Sequence, residues 1–252
     1  MEPWNLKETY SLIKSLHGAA SESFARESLR SVLDRQAFVR FHYQELVRLT
    51  KSFEKNYIKR NLFVDLHASS GGRTREAFER FIIKVGAHAT AAVQGIHALP
   101  DLLAHAIYFS TGHDFQDDPK KEKTANLRWV AEKLKKTSEY KDLSLMLFET
   151  QEGVAWEHLA ALSNSSKHRS LIRTSLNEDW TGNKPRKREL QFTHFKKEQK
   201  QYPSIAVLDL IEPEFDRLSR IIVRIGHVLN TALRSIKTVP ERPGSGCNER
   251  EK

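Results

Sequence analysis

One short polar segment carries residue types that could do chemistry: the run from Asn164 to Arg169, with Arg173 one helical turn further on. On a helix, Asn164 and His168 share a face because they lie four residues apart. An imidazole can act as a general base, and the guanidinium of Arg169 or Arg173 can bind a phosphate. The same residues also fit a structural role, since basic side chains at a helix end interact favourably with the helix dipole.

A second set, His97, Asp101 and His105, repeats at intervals of four residues. On a continuous helix these side chains would line one face, although Pro100 should kink or restart the helix. Such a face could bind a metal or surround a base, or the histidines could simply form hydrogen bonds across helices. Without a Glu-x-x-His repeat, the pattern favours the structural interpretation, and we predict no metal site.

These two sets could meet in one polar pocket between packed helices. Glu157 lies on the same helical stripe as Asn164 and His168. Polar groups on a stripe that otherwise faces the core need partners, because an unpaired buried polar group costs about 1–3 kcal/mol. We therefore predict that Asn164 and His168 face the helix that carries His97 and Asp101.

A third set is a cluster of cations in the last third of the chain. Lys and Arg side chains there could bind nucleic-acid phosphates, and neighbouring aromatic rings could stack on bases. The alternative is a solvated hairpin tip. The predicted nucleic-acid-binding residues are Lys184, Arg186, Lys187, Arg188, Lys196 and Lys197.

Composition agrees with an acidic partner and argues against several classes of protein. The chain has 41 Lys and Arg against 32 Asp and Glu, a net charge of +9. A single cysteine, Cys247, excludes an internal disulfide framework and a cysteine zinc site. The most apolar stretch, residues 91–109, contains ionisable groups and fits a buried helix rather than a membrane span. We expect a cytoplasmic protein.

Familiar cofactor and nucleophile motifs are absent from the sequence. It contains no phosphate-binding G-x-x-x-x-G-K-[ST] loop, no strand-linked G-x-G-x-x-G, no H-E-x-x-H and no G-x-S-x-G. We therefore predict that the protein needs no cofactor.

Hydrophobic spacing predicts the elements that must position these residues. Apolar residues recur at helical intervals through most of the chain, and a stretch with a strand-like period of two precedes the last helix. The predicted class is all-α: a bundle of long helices with a small β-hairpin insertion, forming one domain over residues 1–238 before a disordered tail, 239–252. The predicted elements are helices over about 23–59, 75–111, 153–173 and 214–237, with the hairpin at 188–210.

Small residues crowd one part of the second long helix, from Gly86 to Gly95. Small side chains let a second helix approach closely, so this face could pack against a copy of itself. The sequence therefore also allows a helical homodimer, in which the protein would be a scaffold without catalytic activity.

Three features together resemble the HEPN superfamily, the higher eukaryotes and prokaryotes nucleotide-binding domains. They are the Trp156 helix ending in N-x-x-K-H-R, the small-residue helix with the segment QGIHALPDLLAH, and the hairpin between the last two helices. The resemblance spans about residues 75–235. It implies an all-α, often dimeric protein that acts on or binds RNA or a nucleotide, since many members are metal-independent ribonucleases.

The family motif is R-x(4–6)-H, with a polar residue commonly following the Arg. His168 matches the motif His and Asn164 the polar residue, but Ser163 stands where the Arg belongs, and Leu162 and Ala161 occupy the next positions back. The resemblance thus implies binding of RNA or a nucleotide by a degenerate motif. Two alternatives stay open: an active metal-independent ribonuclease that uses His168 with Arg169 or Arg173, and the dimer scaffold.

Overall fold

The computed structural model describes residues 2–58, 72–113, 125–183 and 185–238. In this part of the chain, long helices surround one hydrophobic core, and short strands lie between the last two helices. The helices are α1 (Leu6–Phe53), α2 (Gly72–Ser110), α3 (Leu127–Leu134), α4 (Lys141–Glu149), α5 (Val154–His168) and α6 (Val207–Thr238). The strands are β1 (Thr174–Glu178), β2 (Arg188–Phe192), β3 (Phe195–Lys197), β4 (Lys200–Tyr202) and β5 (Ile205–Ala206). The predicted all-α bundle with a β insertion is confirmed.

Helix α1 is longer than predicted and consists of two arms. It begins after Asn5, whose side chain accepts a hydrogen bond from the Glu8 backbone N–H at 3.2 Å. Gly18 interrupts the helical backbone with φ of 87° and ψ of 175°. Because glycine lacks a Cβ, it adopts this left-handed φ without steric cost and lets the chain change direction between the arms.

The small residues of α2 pack inside the same chain. A Cβ at Gly95 would lie 2.6 Å from a methyl carbon of Val39 in α1, and one at Gly86 would lie 3.1 Å from the Thr174 hydroxyl in β1. The face from Gly86 to Gly95 is therefore already covered by α1 and β1, and it is not open to a second copy. A homodimer would need another surface.

Pro100 neither ends nor restarts α2, contrary to our expectation. The helix runs from Gly72 to Ser110 without a break, and Pro100 and its neighbour Leu99 are buried. The segment is therefore helical although Pro100 supplies no backbone donor. His97, Asp101 and His105 consequently belong to one continuous helix.

The strands form two small sheets rather than the single predicted hairpin. Strands β1, β2 and β5 make a three-stranded antiparallel sheet, while β3 and β4 make a separate hairpin. The helix predicted over 153–173 ends at His168, and the sequence did not predict the strand that follows it: β1 pairs with β2 from Thr174↔Phe192 to Glu178↔Arg188.

Helix α6 begins at Val207, seven residues before the predicted start at 214. Residues 208–210, which we assigned to a strand, lie in its first turn. Val207, Leu210 and Ile211 are all buried, and their spacing of three and four places them on the core face of a helix.

No helix in the described ranges combines the length and the apolarity that crossing a bilayer requires. The tail at 239–252, including Cys247, lies outside the described residues, as does Lys184.

Candidate functional site

A histidine from α2 and a tryptophan from α5 stack where these two helices meet. The rings of His97 and Trp156 are nearly parallel, with an interplanar angle of 13° and centroids 5.6 Å apart. Trp156 is 6% exposed, whereas His97 is half-buried and so has one edge near solvent. The indole thus holds the imidazole at the protein surface in a fixed orientation.

The charges of two lysines from different elements act on this imidazole. Burial lowers the pKa of His97, and the positive charge of Lys167 on α5 lowers it further; Asp101 opposes this effect, and Lys197 on β3 adds to the lowering. His97 is therefore mostly neutral near pH 7 and can accept or donate a hydrogen bond. We call His97, Trp156, Lys167 and Lys197 the His97 site.

The lysines of the His97 site carry charge that no carboxylate neutralises. Within the described part of the chain, neither Lys167 nor Lys197 forms an ion pair. A bound anion would add favourable interactions with both ammonium groups and would also favour the protonated form of His97. The arrangement suits a phosphate, which lysine binds as a point charge.

An open groove, with a volume of about 640 Å³, continues from Lys197 along α5. The β3–β4 hairpin forms its other wall. The residues that line it are Glu157, Ala160, Ala161, Lys197, Glu198, Gln199, Lys200 and Tyr202.

Glu157 lines the groove. This differs from our prediction, which placed it in a polar pocket against α2. Its carboxylate accepts hydrogen bonds from Lys200 Nζ at 2.5 Å and from the Tyr202 hydroxyl at 3.3 Å. The hydrogen bond from Lys200 is the main cause of the lowered pKa of Glu157. The β3–β4 hairpin covers this stripe of α5. Sequence periodicity predicts a hairpin but does not predict which helix it packs on.

A buried histidine anchors the hairpin to α5. The His158 ring packs edge-on against Phe195 and Tyr202, at centroid distances of 5.7 and 5.3 Å. His158 is 8% exposed, its Nε2 has no hydrogen-bond partner in the described residues, and burial lowers its pKa. The hairpin therefore depends on a neutral imidazole, and through Lys197 it contributes to the His97 site.

The predicted catalytic residues differ in their exposure to solvent. His168, the last residue of α5, is exposed, as are Arg169 and Arg173 beyond it, while Asn164 is half-buried. His168 is exposed at the end of α5 and so is not buried in the predicted polar pocket, while the placement of Asn164 against α2 stays a prediction. Among the described residues, neither His168 nor Asn164 has a side-chain hydrogen bond.

Ser163, which stands at the position of the motif Arg, is fully buried. Its hydroxyl has no hydrogen-bond partner in the described part of the chain. Ser163 and His168 are five positions apart, so on an α-helix of 3.6 residues per turn the two side chains lie on different faces. A guanidinium at position 163 would point into the core, away from the exposed imidazole of His168.

Asp101 and His105 hold the segment before α3 instead of forming a pocket with Asn164 and His168. The Asp101 carboxylate accepts a hydrogen bond from the Leu127 backbone N–H at 2.9 Å, and His105 Nε2 lies 3.0 Å from the Ala125 carbonyl oxygen. Asp101 therefore satisfies a donor at the start of α3, which is a structural role. Of this set, His97 belongs to the candidate site, and the charge of Asp101 also acts on it.

Carboxylates neutralise the predicted phosphate-binding cations of β2. Arg188 binds Glu178 at 2.9 Å, and Lys187 lies 3.8 Å from the same carboxylate. Arg186 pairs with Asp209 and lies 3.5 Å from Glu189. The spacing of cations along the sequence predicted a phosphate surface here, but antiparallel pairing of β1 with β2 places Glu178 opposite Arg188.

Other predicted cations remain unpaired. Lys196, Arg169 and Arg173 are exposed and form no ion pair among the residues the structure describes. The Arg173 carbonyl accepts a hydrogen bond from Thr193 N–H at 3.0 Å, so the segment after α5 runs beside the segment that enters β3. Lys184 lies outside the described residues.

Two members of the His97 site escaped prediction as site residues. Trp156 was recognised only as part of a helix, and Lys167 only as part of a polar run. Nothing in the spacing could pair them with His97, because 59 and 70 residues separate them from it in the chain. The sequence signal for these two residues as members of a site was weak: an aromatic residue and a lysine on one helix.

The candidate site offers no set of metal ligands. The described ranges contain no group of three or more His, Cys, Asp and Glu side chains that could hold a metal ion. No family model, no curated protein and no solved structure matches this chain.

Proposed function

We propose that the protein binds a phosphate-bearing ligand, RNA or a nucleotide, at the His97 site without cleaving it. One observation carries the proposal: Lys167 on α5 and Lys197 on β3 both act electrostatically on the half-buried imidazole of His97, and neither forms an ion pair with a carboxylate of the described residues. Each lysine gains a favourable interaction when a phosphate binds, and no ion pair has to be broken first.

The exposed cations Arg169, Arg173 and Lys196 support a ligand longer than one phosphate. They lie on the segment that follows α5 and on β3, beside the residues of the site. Sequence-independent phosphate binding of this kind weakens as salt rises, because binding releases counterions from the nucleic acid. The resemblance to HEPN domains agrees with such a ligand, and it is the reason for choosing RNA over DNA.

The test compares two double variants that remove the same charge. A short fluorescein-labelled single-stranded RNA is titrated by anisotropy at several salt concentrations. We expect Lys167→Gln with Lys197→Gln to weaken binding about tenfold and to lower the slope of log K against log salt by about 0.7 per lost phosphate contact. Arg186→Gln with Lys187→Gln is the matched control, whose affinity and slope should stay near those of the wild type.

Competition with unlabelled AMP and inorganic phosphate separates a nucleotide site from an RNA surface. Equal losses in both double variants would contradict the proposal, as would a wild type that binds none of these ligands. Incubation of the RNA with the protein in EDTA tests the alternative: cleavage that His168→Ala abolishes would make the protein a metal-independent ribonuclease.

A further inference from the structure

A second cavity lies on another part of the molecule, between α1 and the beginning of α6. Its volume is about 230 Å³. Buried Val39 and Ile211 provide an apolar floor, and Tyr43 and Phe215 are half-buried beside it. A water molecule takes about 30 Å³, so the cavity is large enough for a small organic molecule.

The polar residues of this cavity divide by charge between the two helices. Arg40 and Gln44 lie four residues apart on α1, and Glu212 and Asp216 lie four residues apart on α6. Residues at this spacing share a helix face. One wall therefore presents hydrogen-bond donors and a positive charge, and the opposite wall presents two carboxylates.

The opposite charges do not neutralise each other. Arg40 and Asp216 line the same cavity, yet within the described ranges neither forms an ion pair. Glu212 accepts a hydrogen bond of 2.7 Å from the Tyr43 hydroxyl, which leaves one carboxylate oxygen for another donor. This bond, together with burial, agrees with a Tyr43 pKa raised to about 12.

We propose that this cavity binds an aliphatic α-amino acid as its zwitterion. Arg40 and Gln44 bind the carboxylate, since both donate N–H groups and Arg carries the charge. Asp216 and the second oxygen of Glu212 accept hydrogen bonds from the ammonium group. The aliphatic side chain packs on Val39, Ile211 and Phe215. A simple amine or a simple carboxylic acid would leave one wall of the cavity unpaired, so the charge arrangement favours the zwitterion over either.

The experiment uses three probes of similar shape: leucine, isopentylamine, which lacks the carboxylate, and 4-methylpentanoate, which lacks the ammonium. Binding is followed by chemical-shift changes of the backbone amides of α1 and α6. We expect leucine to bind about tenfold more tightly than either analogue, because each analogue loses a charge-assisted hydrogen bond.

Two variants and one control test which residue binds the carboxylate of leucine and which binds its ammonium group. Arg40→Gln should weaken leucine about tenfold and leave isopentylamine unchanged, whereas Asp216→Asn should weaken leucine by a similar factor and leave 4-methylpentanoate unchanged. Arg220→Gln, on an exposed position of α6 outside the cavity, should bind leucine like the wild type. The proposal is overturned if folded wild-type protein shows no shifts with leucine, if the three probes bind equally, or if both variants bind leucine unchanged.

Discussion

Two basic regions follow each other along this chain, yet their charges have different roles. The segment Arg186–Arg188 leads into β2, and all three of its cations meet carboxylates of β1, β2 or α6. Lys197 on β3, only nine residues beyond Arg188, has no such partner in the described structure, and its charge acts on His97. A count of cations along the sequence therefore does not measure the charge available to a ligand.

The difference has a simple structural cause. Cross-strand neighbours in an antiparallel sheet lie close enough to form ion pairs, and β1 carries Glu178 opposite Arg188. The β3–β4 hairpin is separate from that sheet, and its side chains contact α5 instead. We infer that the first region stabilises the fold and that the second is available for binding.

The largest expected difference between the two regions is in the free energy of unfolding of variants that remove one cation from each. The side chain of Glu178 is 2% exposed and that of Arg188 is 12% exposed, so their ion pair is largely removed from water. We expect Arg188→Met to lower the free energy of unfolding by about 3 kcal/mol, because a buried carboxylate loses its main partner. Urea denaturation measures the change.

Lys197→Met is the matched variant in the other region and should change the free energy of unfolding by no more than about 0.5 kcal/mol. Adding Glu178→Leu to Arg188→Met should restore much of the lost stability, since no unpaired charge then remains buried. Similar losses for Arg188→Met and Lys197→Met would remove the distinction between the regions.

A smaller effect, on RNA affinity, is expected when Arg186 loses its carboxylate partners. Asp209→Asn with Glu189→Gln removes both carboxylates that pair with Arg186, and should raise the affinity for single-stranded RNA about threefold because one more cation can contact phosphate. The measurement is the anisotropy titration described above.

The control for this double variant is Asp34→Asn, which changes the net charge by half as much and lies on α1 in an exposed pair with Arg30. It should leave the RNA affinity close to that of the wild type. An increase in the control of half that size on a logarithmic scale would mean that net charge alone governs binding.

The third prediction concerns the protonation of His97. Because the charge of Lys167 contributes to its lowered pKa, Lys167→Met should raise the pKa of His97, and a bound phosphate should raise it in the wild type. An NMR titration of the His97 ring proton reports both shifts. Lys196→Met, which alters the outer face of β3, should leave this pKa unchanged. An unaltered pKa in Lys167→Met would place Lys167 too far away to share a ligand with His97.

The smallest expected effect is on stability in acid. The pKa of His97 is lowered in the folded state, so between the ordinary value of 6.5 and the lowered value the unfolded chain binds more protons. Stability is therefore lost as the pH falls through that window. His97→Gln should make the decrease in stability between about pH 7.5 and about pH 5 shallower. Urea denaturation at both pH values checks this, and an unchanged decrease would contradict it.

Much of the architecture was predictable from the sequence because helices are local. Apolar residues at intervals of three and four marked α1, α2, α5 and α6, and alternation marked β2. The ends of elements were less accurate. The early start of α6 and the strand β1 were missed, because both lie in segments whose side chains are buried by distant parts of the chain.

The candidate site was predicted only in part. His97 and Lys197 were identified as residues of interest from their types and neighbours. Glu157 and Asp101 were placed in the same pocket by their spacing, but one binds Lys200 on the hairpin and the other binds the backbone at the start of α3. Spacing identifies which face of a helix a residue shares, but it does not identify what packs on that face.

The sequence by itself determined the helical class, the position of the β insertion and the excess of positive charge, since each follows from local periodicity or composition. Only the tertiary structure decided which cations are neutralised, that His97 stacks on Trp156, and that the charges of Lys167 and Lys197 act on His97. The physical reason is that ion pairing and ring stacking act over a few ångströms, whereas the residues concerned are tens of positions apart in the chain. Only the packing of α2, α5 and the β3–β4 hairpin brings them within that range.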